Sequence, residues 1–79
     1  RLTIGRSSKC DLSIPDQPEI SGNHCLLELK ENSVSITDLN SRNGTFVNGV
    51  RITDRFILQS RDIVGLGRAE YRLIFGEED

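Results

Sequence analysis

"TFVNGVRI", residues 45–52, sets two short apolar-and-polar runs on either side of Asn48-Gly49. Asn-Gly in that position is the strongest short-range signal for a two-residue hairpin, because both residues accept the positive φ that the tight turn demands. The same grammar extends in both directions. "RLTIG" puts Leu2 and Ile4 on one face. "DLSIP" does so with Leu12 and Ile14, and Pro15 ends it. "HCLLELK" aligns Cys25, Leu27 and Leu29, and "SVSITDL" alternates Val34 and Ile36. "FIL", "DIVGLG" and "EYRLIF" complete the series, the last with Tyr71, Leu73 and Phe75 on a common face. No segment carries helical periodicity. Short alternating strands at nearly regular spacing predict an all-β fold, an antiparallel sandwich or barrel of about nine strands.

The chain has 79 residues, room for a single domain over 1–79. A domain of this size buries only about 60% of its unfolded surface. Without Trp or Met, the core must be built from Ile, Leu and Val with three Phe and one Tyr. No apolar run reaches the roughly 18 residues of a membrane-spanning helix, and no signal segment opens the chain. It starts abruptly at Arg1 inside an apolar strand, which leads us to expect a module excised from a larger protein, with its first strands upstream. The "GEED" end, residues 76–79, is expected to be frayed and solvated.

Ten basic and twelve acidic residues leave a net charge of −2, which argues against a nucleic-acid partner. Two cysteines, Cys10 and Cys25, are too few for a disulfide-stapled secreted domain and read as buried thiols in an intracellular, reducing compartment.

Three polar loops interrupt the pattern: Gly5-Arg6-Ser7-Ser8 after one strand, Ser21-Gly22-Asn23-His24 before another, and "NSRNGT", residues 40–45, between two more. If strand 2–5 runs toward the first loop, strand 12–14 runs back, strand 25–29 leaves the second and strand 34–38 returns to the third, antiparallel pairing gathers the loops at one end. Loops on a rigid sandwich are a standard place for binding. Together they offer the guanidinium of Arg6, the Ser21 hydroxyl, an unshielded Gly22 N–H, a second guanidinium on Arg42, and both amide groups of Asn43. Glu19 is the one carboxylate nearby. A donor-rich, cationic set of this kind suits a dianion such as phosphate.

Rival chemistries fit less well. Ser21 and His24 as a nucleophile and base lack an orienting carboxylate and any oxyanion-hole signature. Zinc at Cys10, His24 and Cys25 fails because adjacent strand residues point to opposite faces and no paired ligand spacing exists. His24 reads instead as a buried imidazole that shapes a loop through backbone hydrogen bonds. The residues call for no metal, no cofactor and no catalysis.

Taken in order, "GR" at 5–6, "SGNH" at 21–24 in an S-x-x-H pattern, and "SRNGTFVNG" at 41–49 resemble the forkhead-associated (FHA) domain family of phosphothreonine-peptide readers. The resemblance implies an FHA-type β-sandwich whose usual first strands are missing here, and a partner that is a phosphothreonine-containing protein or peptide recruited in signalling. It implies that Arg6, Ser21 and the Gly22 N–H hold phosphate, that Asn43 bonds the peptide main chain, and that Gly5, His24 and Gly44 are architectural. Gly22 and Arg42 depart from common family choices; Arg42 either adds charge to the site or points away. Glu19 and Asn23 are candidates for peptide selectivity. The competing reading is an FHA-like scaffold that binds its partner without phosphate.

Overall fold

The alternating runs become nine short strands in a computed structural model that describes residues 1–76. They are β1 (Leu2–Gly5), β2 (Leu12–Ser13), β3 (Cys25–Lys30), β4 (Ser33–Asp38), β5 (Thr45–Val47), β6 (Val50–Arg51), β7 (Phe56–Leu58), β8 (Ile63–Leu66) and β9 (Ala69–Arg72). Asn48 and Gly49 take φ of 51° and 84°, as the hairpin between β5 and β6 requires. The strands form two sheets, ordered β2-β1-β3-β4-β7 and β6-β5-β8-β9. Ile4, Leu27, Ile36 and Leu58 of the first join Val47, Val64 and Leu66 of the second in one buried cluster. That shared core makes the two sheets a sandwich.

Three local expectations are corrected. Strand 12–14 does not run back: β2 is parallel to β1, with Ile4 opposite Leu12. The Asp11 carboxylate accepts the backbone N–H of Thr3 at 2.8 Å, and the Asp11 N–H returns to the Thr3 hydroxyl at 3.1 Å. This clasp carries the chain back to the middle of β1 before β2 starts. Only two residue pairs need to match, so a short connection suffices where long parallel strands would need a crossover. Leu29 and Leu12 are exposed at 56% and 49%, Leu12 at an open apolar groove that it shares with Val64 and Leu66 of the opposing sheet. Tyr71 is also exposed, while Leu73 and Phe75 pack against the core after β9 has ended. Of the "GEED" end, Glu77 to Asp79 lie outside the described residues.

Register decides where the loops go. Ile4 lies opposite Cys25, and Cys25 opposite Asp38. These three residues form a row across the sheet, and each adjoins one of the polar loops. The chain leaving Asp38 reaches Thr45, which lies opposite Leu66 at the end of β8. Four connections therefore share this end: 6–11, 14–24, 39–44, and the β8–β9 turn at Gly67-Arg68.

Candidate functional site at the loop end

His24 is fully buried at the centre of the loops. Its Nδ1 accepts the N–H of Ser21 at 3.0 Å, so the ring proton is on Nε2, which donates to the Gly44 carbonyl at 2.8 Å. Its backbone N–H donates to Ile4 O and its carbonyl accepts from Leu39 N–H. One residue thus ties the second loop to the third and to β1. With both ring nitrogens committed to backbone, His24 offers neither a base to Ser21 nor a metal ligand. Among the described residues, no group of three or more His, Cys, Asp or Glu is placed to hold a metal ion.

The first two loops lock together through backbone. Arg6 N–H donates to Ser21 O at 3.0 Å and Ser7 N–H to Gly22 O at 3.1 Å. Cys10 lies beneath, its thiol donating to Gly22 O at 3.1 Å. Both cysteines are free and buried. Burial, with the nearby Asp38 carboxylate and Cys10, pushes the Cys25 thiol up to about 12, so it is an inert core residue.

The third loop is ordered by Asp38. Its carboxylate accepts from the Ser41 N–H and hydroxyl and from the Thr45 hydroxyl at 2.7 Å. Burial opposes the charge and is the largest single influence, but these donors outweigh it and hold the carboxyl below its ordinary 3.8. Ser41 in turn accepts Gly44 N–H at 3.0 Å. Gly44 has φ of 90°, a conformation costly for any residue with a β-carbon.

These supports surround a recess of about 170 Å³ lined by Arg6, Pro18, Glu19, Ile20, Ser21, Gly22, Arg42 and Asn43. All five residues expected to bind phosphopeptide are in that set. Ser21 Oγ accepts the backbone N–H of Arg42 at 2.9 Å, which leaves its hydroxyl hydrogen to donate to a ligand. The Arg6 and Arg42 side chains are exposed and carry permanent charge. Asn43 is more committed than expected: Nδ2 donates to Glu19 O at 2.8 Å, so one amide hydrogen holds a loop while the other, and the amide oxygen, remain available. Asn23 is separated from the recess. It is exposed, does not line the recess, and its amide oxygen accepts from the Cys10 thiol at 3.5 Å. Glu19 is in the recess with Arg6, closer to the phosphate-type donors than its sequence separation suggests.

The residues that sequence reasoning missed are Gly67 and Arg68. Arg68 Nε is 3.8 Å from Glu19 Oε1. A signal existed: Gly-Arg directly after an apolar strand, the same pattern that drew attention to Gly5-Arg6.

Comparison with known proteins assigns this architecture. The FHA domain model matches residues 2–67, and the chain belongs to that family. It is 42% identical over 67 residues to the mouse E3 ubiquitin-protein ligase CHFR, covering 81% of this chain and 10% of that protein. The chain therefore spans about a tenth of the length of that relative. A solved structure from a structural and functional analysis of phosphothreonine-dependent FHA domain interactions superposes with a TM-score of 0.89 at 27% identity, covering 98% of this chain and 78% of the other. The N-terminal FHA domain of Saccharomyces cerevisiae Rad53p, in complex with a phosphothreonine peptide, superposes at 0.74 with 28% identity, covering 84% and 55%.

Proposed function

We propose that this domain recruits phosphothreonine-containing proteins by binding the phosphorylated segment in the recess at its loop end. The observation that carries the reading is the donor geometry around Ser21. Its hydroxyl oxygen is fixed by Arg42 N–H, its hydrogen is left to donate, and Arg6, Gly22 and Arg42 line the same recess. A phosphate dianion placed there meets two guanidinium groups, a hydroxyl and a backbone N–H, each a charge-assisted donor. Asn43 supplies the remaining amide groups to the peptide main chain beside the phosphate. No step of bond making or breaking is needed, so the domain acts as a binding module. Two free thiols in the core fit a reducing, intracellular setting, and no helix among the described residues is long and apolar enough to cross a membrane.

Isothermal titration with a phosphothreonine peptide and its unphosphorylated twin tests the reading. Binding is expected only with phosphate. Equal binding of both peptides would favour the phosphate-independent scaffold.

A further inference from the structure

The β8–β9 turn reaches the recess without belonging to any of the three loop motifs. Gly67 has φ of 63°, and a β-carbon added there would lie 2.7 Å from Glu19 Cβ. Its N–H approaches Gly44 O at 3.4 Å, the carbonyl that also receives His24. The turn is therefore seated directly on Glu19, and the bare Gly67 backbone is what allows that approach. Arg68 follows, with its guanidinium beside the Glu19 carboxylate. On its other side Glu19 is held by Asn43, through the backbone carbonyl.

Among the described residues, Glu19 is the one acidic residue that lines the recess. A carboxylate on a residue that lines a recess receiving a dianion repels it. We infer that Arg68 is the counter-charge that allows Glu19 to stand at an anion-binding recess, and that it thereby sets affinity through Glu19 without touching the phosphate itself. This inference rests on the phosphothreonine reading. The Arg68 side chain is 89% exposed and Glu19 is 36% exposed, so the pair is partly screened and easily parted. A flanking Lys or Arg of the peptide competes with Arg68 for Glu19, whereas a flanking acid is met by Arg68. The pair is thus a rim that tolerates either charge until one member is removed.

The test is a four-protein set of the 79-residue chain: wild type, Arg68→Ala, Glu19→Gln and the double variant. Each is titrated by fluorescence polarisation with a phosphothreonine peptide of neutral flanks, at low and high salt. Arg68→Ala is expected to weaken binding about threefold at low salt and less at high salt. Glu19→Gln is expected to bind at least as tightly as wild type, and Arg68→Ala should cost nothing further in the Glu19→Gln background. An equal loss in both backgrounds, or no loss in either, overturns the inference. A second arm follows inorganic phosphate by amide chemical shifts of Gly22 and Arg42. If the wild type ignores the phosphopeptide yet binds inorganic phosphate with the same ranking of variants, the phosphothreonine reading falls and the role of Arg68 stands. If phosphopeptide binds and the ranking is absent, the role of Arg68 falls alone. If neither ligand binds, both fall.

Discussion

The carbonyl oxygen of Gly22 lies 2.1 Å from the point where a β-carbon on Gly5 would stand, with the Cys10 thiol 3.0 Å from the same point. The obstacle is backbone, and it belongs to the same residue whose N–H is proposed to face the phosphate. Gly5 is therefore the contact that lets the first loop close on the second.

Gly5→Ala should lower stability by about 1–3 kcal/mol, the usual cost of overpacking a tight site. It should also weaken phosphopeptide binding in the molecules that remain folded, because relief of the clash moves Gly22. Thermal melts and calorimetry on one preparation check both effects. An unchanged melting temperature would show that the two loops separate without cost.

Arg6→Ala should remove most phosphopeptide affinity and leave the fold intact. Among the described residues the guanidinium makes no hydrogen bond or ion pair, while the Arg6 backbone keeps its bond to Ser21 O. Charge-assisted hydrogen bonds contribute about 1.5–3 kcal/mol each, and a bidentate contact loses two. Calorimetry on a variant with a native amide spectrum is the measurement, and unchanged affinity would take Arg6 out of the site.

Acid should loosen the third loop through Asp38. Its folded-state pKa is lowered, so its contribution is fully present above the unfolded value near 3.8 and is lost as pH falls through the folded value. Thr3 donors lower Asp11, and donors from Gln59 and Asn48 lower Asp62, so all three act with the same sign. The Asp38 share appears as a difference: melting temperature against pH should fall steeply below about pH 4 in wild type and less steeply in Asp38→Asn. Parallel curves would show that Asp38 does not order the loop through its charge.

The strands were readable because their signals are local. Asn48-Gly49 fixes a hairpin by its own φ preference, and alternation such as Val34 and Ile36 places residues on a face without knowledge of the partner strand. The direction of β2 was not readable, because it depends on the Asp11–Thr3 clasp, a pairing across eight residues that no periodicity encodes. The exposure of Leu29 depends likewise on what the opposing sheet covers. Arg6, Ser21 and Asn43 were legible as donors in loops that register brings together. Asn43's bond to Glu19 O, and the seating of Gly67 on Glu19, are contacts between segments 24 and 48 positions apart. They exist only once both sheets are assembled.

Phosphothreonine should bind more tightly than phosphoserine. The two ligands differ by one methyl group, and the phosphate donors of Arg6, Ser21 and Gly22 do not sense it. Discrimination needs an apolar niche. Asn43 lines the recess, whereas Gly44 does not; its carbonyl is turned inward to His24. Of the two apolar residues that line the recess, Pro18 is exposed, whereas the Ile20 side chain is only 1% exposed and belongs to the core beneath. Burying one methyl group contributes about 0.8 kcal/mol by transfer, and a well-fitted pocket extends discrimination to about 1–3 kcal/mol. Threonine is also stiffer at χ1 than serine, so less freedom is lost on binding. Both effects have the same sign, and a preference of at least about tenfold, or about 1.4 kcal/mol, is expected. Paired titrations with peptides identical except at that residue measure it. Equal affinities in the wild type would mean that the recess is a general anion site with no contact to the threonine methyl group.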